Sequence, residues 1–160
     1  MSDYQMGTKT ESAYGTPVVV DTFWEFLPGD PIQVETGRTD SNGLRTGRYV
    51  PRADRFQPYV LGGTGSRQLE VLDTGFDWWL PHLMGASSKT SNGGVDTHTA
   101  IFGDLCGKSF TWQENILSGA CKSADNPVTF AGGKVNSWTL SCDVEGNLTL
   151  EVEVFFSSFS

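Results

Sequence analysis

The sequence predicts a mainly β fold with one short packed helix, and three observations carry that reading. Glycine (19 residues) and proline (7) recur too often along the 160-residue chain for long helices. The chain closes on two runs of period-2 alternation around a short turn that contains glycine. Only one stretch, Phe76 to Leu83, switches to a period of 3.6. At this length a single domain, 1–160, with a sizeable core is expected.

After a polar leader, residues 17–27, "PVVVDTFWEFL", are apolar and aromatic and suit an extended segment docked on neighbouring structure. "PIQVET" alternates as a short strand. The 29 residues from Gly37 to Gly65 show little periodicity beyond "FQPYVL" and read as a long loop; loops beyond about 12–15 residues are usually functional or disordered. "SRQLEVLDT" resumes a strand with Leu69 and Val71 on one face. In "TGFDWWLPHLMG", Phe76, Trp79, Leu80 and Leu83 form the stripe of an amphipathic helix, with Thr74 and Asp77 as a capping box and Gly85 as the stop. Pro81 removes a helical hydrogen bond, so this helix is kinked or limited to two turns.

"ASSKTSNGGVDT" reads as a flexible loop by composition. "HTAIFGD" and "KSFTWQENI" read as strands, and "SGACKSADNPVTF" leads to the closing pair. There, "KVNSWTLSCDV" puts Trp138, Leu140, Cys142 and Val144 on one face. After "EGN", Leu148, Leu150, Val152, Val154 and Phe156 share the matching face, a hairpin with both faces directed at a core. Thr149, Glu151 and Glu153 then point outward.

Formal charge is −8, which argues against gripping nucleic acid, because phosphate binding needs clustered Lys and Arg. The charge is unevenly spread. Arg38, Arg45, Arg48, Arg52 and Arg55 are five of the eleven basic residues and face only Asp40 and Asp54 within 37–65, so that segment is +3 and the rest of the chain −11. Such a segment is either a solvated loop or a basic arm that docks on the acidic surface of a neighbouring copy. No apolar run is long enough to span a bilayer, and the opening residues lack the basic and apolar regions of a signal peptide. Cys106, Cys121 and Cys142 form no CxxC pair and read as reduced and mostly buried.

Catalytic signatures are sparse. "GDLCGKS" has three residues between its glycines where a phosphate-binding loop needs four, and a strand pattern follows where a helix is required. His82 and His98 lack partners at zinc-ligand spacing, no GxSxG elbow presents a serine, and the carboxylates are dispersed. The chain therefore reads as no enzyme, with no cofactor and no metal. Trp78, Trp79 and Trp112 fall on apolar stripes or strand faces and read as core or interface residues before they read as a sugar-binding platform.

The ordered set "ESAYGTPVVVDTFWEFL", "SNGLRTGRYVPRADRF", "GFDWWLPHLMG", "DLCGKSFTWQ" and "FAGGKVNSWTLSCDVEGNLTLEVEV" resembles the major tail tube proteins of long non-contractile-tailed bacteriophages, especially those infecting actinobacteria. The resemblance implies a β-sandwich with one packed helix, an N-terminal arm over 1–27 and a stacking loop over 37–65 bearing Arg38, Arg45, Arg48, Arg52 and Arg55. It implies hexameric rings whose inner sheets join into a barrel, stacked around a tape measure protein, closed by tail terminator and baseplate proteins, and later traversed by DNA without specific binding. The product would be a virion tail tube assembled in the host bacterial cytoplasm. Glu151, Glu153 and Glu70 become candidates to line the lumen, or else face outside solvent. Phe155, Phe156 and Phe159 become an edge-strand interface. Members of the group usually continue past the point equivalent to Ser160. The competing readings are a tail terminator, a baseplate hub, a capsid decoration protein, or a carbohydrate-binding module of similar fold.

Overall fold

The computed structural model describes residues 3–29, 32–40, 56–72, 75–117, 127–142, 144 and 146–160. Ten strands follow in order: β1 (Asp3–Thr10), β2 (Thr22–Phe23), β3 (Gln33–Asp40), β4 (Phe56–Glu70), β5 (Gly85–Asn92), β6 (Val95–Phe102), β7 (Phe110–Leu117), β8 (Pro127–Cys142), β9 (Leu148–Phe156) and β10 (Ser158–Phe159). Between β4 and β5 a 3₁₀ turn (Phe76–Trp78) runs into helix α1 (Trp79–Met84).

All pairings are antiparallel, in the order β2-β1-β7-β8-β9-β4-β3, with β10 added beside β8. Strand β8 serves two layers. Its first half pairs with β7 and β10, and from Lys134 onward it pairs with β9. The chain passes from one layer to the other at Gly132 and Gly133. Gly132 has φ 68°, and a Cβ there would lie 2.1 Å from the Ser157 hydroxyl, so a side chain at this crossing would be strained and would displace Ser157. The layers are thus β2-β1-β7-β8-β10 and β8-β9-β4-β3, a sandwich-like arrangement rather than a closed barrel.

Side chains from both layers meet in one cluster: Met6, Phe110, Trp112 and Phe130 from the first, Leu69, Leu150, Val152 and Val154 from the second. Helix α1 closes one side, burying Trp79, His82 and Leu83. It is only two turns long including the 3₁₀ segment, as Pro81 requires, and Gly85 ends it with φ 91°. Gly75, without a side-chain cap, stands at its entry; Thr74 lies outside the described residues.

Four expectations change. Within the N-terminal arm expected over 1–27, Asp3–Thr10 is a full strand between β2 and β7, because Met6 and Thr8 are buried and Thr8 Oγ accepts the Trp24 indole N–H at 2.7 Å. Within the loop expected over 37–65, Gly37–Asp40 and Phe56–Gly65 are strand; residues 41–55 lie outside the described residues. "ASSKTSNGGVDT" belongs to the β5–β6 hairpin, which turns at Gly93 and Gly94 with φ 60° and 85°. Cys106 and Cys142 are exposed rather than buried, and Cys121 lies outside the described residues.

Candidate functional site

The layer β8-β9-β4-β3 carries most of the candidate residues. Its outward face is set by alternation: Thr64, Ser66, Gln68 and Glu70 of β4 stand opposite Phe155, Glu153, Glu151 and Thr149 of β9. On the other side of β9, Ser137, Thr139 and Ser141 of β8 pair with Glu153, Glu151 and Thr149. The structure therefore brings Glu151, Glu153 and Glu70 onto one face of hydroxyls, amides and carboxylates. Glu153 accepts from Ser137 Oγ at 2.8 Å and from Asn136 Nδ2 at 2.9 Å, and these two hydrogen bonds hold its carboxyl below the usual range. Glu70 stands at the end of the row, only partly exposed.

Phe155 and Phe156 do not lie on an edge, whereas Phe159 stands on β10, the marginal strand of the first layer. Strand β9 lies between β4 and β8, so its backbone is paired on both sides. Phe156 is a core residue, 3% exposed, with its ring 5.1 Å from Phe130 and 6.1 Å from Phe110 and Trp112. Phe155 lies on the polar face opposite Thr64 and Lys134. Phe159 belongs to β10, whose flank is pinned by exchanged backbone bonds between Ser160 and Thr129. The alternation that marks this strand was legible; its place in the middle of a sheet was not.

Among the described residues, the open edges of that layer are β3 and the second half of β8. Trp138 and Leu140 stand on the core side of β8, opposite Val152 and Leu150, yet are 36% and 43% exposed because no described residue of the same copy covers the sheet margin. Val144, just beyond, is fully exposed. The sequence put these side chains on one strand face and read Trp138 as core or interface. They are half of an apolar margin beside a backbone unpaired among the described residues, a combination that invites strand addition.

The basic segment is carried on a projection. Strands β3 and β4 stay paired from Thr36–Val60 to Asp40–Phe56, past the end of β9, whose last pairing is Gly63–Phe156. Arg38 is exposed on this projecting ribbon, and Arg45, Arg48, Arg52 and Arg55 lie outside the described residues.

Nothing among the described residues assembles into a metal or catalytic centre. No three His, Cys, Asp or Glu side chains converge there. His82 is buried, its ring 4.4 Å from Trp78, and burial pushes its pKa down to about 4. Gly103–Ser109 is a loop that leads into strand β7. Trp79 and Trp112 are 1% and 0% exposed and offer no sugar a stacking face, while Trp78 is packed between Trp79, His82 and Phe110.

Sequence reasoning missed two buried polar sites, built on Arg67 with Glu114 and on Glu11. Arg67 donates to Glu114, which also accepts from the Trp112 indole at 3.1 Å and the Tyr4 hydroxyl. Glu11 accepts from Thr111 Oγ at 3.0 Å and from the backbone N–H groups of Gly132 and Gly15 at 2.8 and 2.9 Å. Both tie sequence-distant segments together, and neither belongs to a recognisable motif.

Strand margins unpaired among the described residues, a polar acidic sheet face and a projecting ribbon are features suited to a structural subunit. The chain belongs to the phage tail tube protein family, whose family model matches residues 2–157. It is accordingly a structural virion component, a constituent of the tail tube. No curated protein matches the chain significantly.

Proposed function

We propose that the protein self-assembles into hexameric rings, stacked into a tube that houses a tape measure protein and later conducts DNA, with terminator and baseplate proteins at its ends. The observation that carries this reading is the pair of open edges on one four-stranded antiparallel layer. With an even number of strands, β8 and β3 run in opposite directions. Rotation about a ring axis then sets β8 of one copy beside β3 of the next with the antiparallel alternation unbroken, and closure removes both edges. Six copies is the number the tail-tube resemblance implies.

In such a ring the face bearing Glu151 and Glu153 turns to the lumen, and Trp138 and Leu140 are covered by the neighbouring copy. An acidic wall offers DNA no phosphate contact to break as it passes. Arg38 lies on the ribbon that projects from one end of the layer, where an adjacent ring would meet it. Electron microscopy of the purified protein tests the proposal: rings and tubes are expected, and a strictly monomeric species at high concentration that fails to elongate on tube seeds overturns it.

A further inference from the structure

One cleft lies at the end of the layer opposite to the basic projection. It has a volume of about 230 Å³, is lined by Trp24, Leu72, Phe76 and Trp79, and is bordered by Glu25 and Glu70, with no Lys or Arg among its described lining residues. Trp79 is buried, and its indole N–H has no acceptor among the described residues. A buried donor left unpaired costs free energy that an incoming carbonyl would recover.

We infer that this cleft is the socket that a second copy of this chain enters with its 41–55 segment when copies stack head to tail. The inference rests on the tube reading and adds the receiving site to it. The segment suits the cleft chemically: Arg45, Arg48, Arg52 and Arg55 against a single acid, Asp54, meet Glu25 and Glu70, while Leu44, Tyr49, Val50 and Pro51 suit an apolar lining.

Reach excludes the copy's own segment. Residues 41–55 leave from Asp40 and return at Phe56, whereas the cleft begins at Leu69, near the far end of the 15-residue β4. At about 3.3 Å per residue, β4 separates the two by roughly 40 Å. A fifteen-residue segment whose ends are paired strands extends at most about 25–28 Å before it must turn back. Head-to-tail stacking is the arrangement that brings the two ends together.

The experiment uses full-length protein and charge reversal on both sides. E25K/E70K and R45E/R48E are each expected to form rings but to need about tenfold or more protein to form tubes, because like charges then face each other across the junction. An equimolar mixture of the two restores tubes, since acidic segments then meet basic sockets. If E25K/E70K does not yield rings, Leu72→Lys, at a side chain 45% exposed, takes its place, with the same loss of tubes expected. Tubes from E25K/E70K at the wild-type concentration, or rings from both variants that fail to co-polymerise, overturn the socket while leaving the tube reading intact. A wild-type protein that makes neither rings nor tubes overturns both.

Discussion

Arg67 Nε and Nη2 both donate to one oxygen of Glu114, Oε1, at 3.0 and 2.8 Å, with both side chains almost shut off from water. Arg67 sits on β4 and Glu114 on β7, so the pair bolts one layer of the sandwich to the other. Tyr4 of β1 joins it, its hydroxyl bonded to both partners, and burial with the adjacent Glu114 carboxylate raises the phenol's pKa. Glu114→Ala removes the carboxylate to which the Arg67 guanidinium, the Trp112 indole and the Tyr4 hydroxyl all donate, and is expected to destabilise the subunit by about 3–5 kcal/mol. Urea denaturation of the unassembled subunit measures this; a loss below about 1 kcal/mol would show that water reaches the site. Glu114→Gln, which keeps an acceptor for Trp112, is expected to lose less.

His82 supplies a pH dependence with a definite sign. Its ring meets the Thr10 hydroxyl at 3.0 Å and the Lys108 carbonyl at 3.4 Å, and burial lowers its pKa from 6.5 to about 4. The unfolded chain therefore takes up a proton near pH 6.5 that the folded chain refuses until about pH 4. Stability is full above pH 6.5 and falls between those values, by up to about 3 kcal/mol at roughly 1.4 kcal/mol per pH unit. Comparing the midpoint of unfolding at pH 7.5 and 4.5 tests this. His82→Gln is expected to lower stability at pH 7.5 and to flatten the dependence, and an unchanged slope would assign the acid sensitivity to other groups.

How far these features can be read from the sequence depends on whether a residue's neighbours in space are its neighbours along the chain. The closing hairpin was legible because β9 buries one face, which writes Leu150, Val152 and Val154 at every second position. Strand β5, "GASSKTSN", was not, since from Ser87 onward it is exposed on both faces and no alternation is written. The exposure of Trp138 and Leu140 was hidden for the opposite reason: their pattern is that of a core strand, and only the absence of a partner beyond β8 reveals a margin. The Arg67–Glu114 pair joins residues 47 apart on strands of different layers, a spacing that no local motif records.

That margin can be tested without touching the core. Leu140→Asp places a charge where the neighbouring copy is proposed to cover an apolar side chain. Because Leu140 is already 43% exposed, the subunit is expected to stay folded, with its circular dichroism unchanged. Burying the remaining apolar area contributes about 1–2 kcal/mol per junction, so the concentration needed for rings should rise about tenfold or more. Mass photometry across a dilution series reads the outcome directly, and rings of undiminished stability would place the subunit contact somewhere other than β8.

The outward glutamates make the last prediction. Ser137 and Asn136 hold the Glu153 carboxyl charged to lower pH than an ordinary glutamate, and Glu151 sits two residues away on the same face. If that face lines the lumen, E151K/E153K should still assemble, because neither side chain packs in the core, but its tubes should retain DNA. Retention should weaken steeply as salt rises, since each neutralised phosphate releases a counterion. Wild-type tubes are expected to bind no DNA under the same conditions. The measurement is DNA retention by sedimented tubes at about 50 and 200 mM salt, the range over which such binding changes most. Failure of the lysine tubes to retain DNA that can enter them would mean that Glu151 and Glu153 face away from the channel.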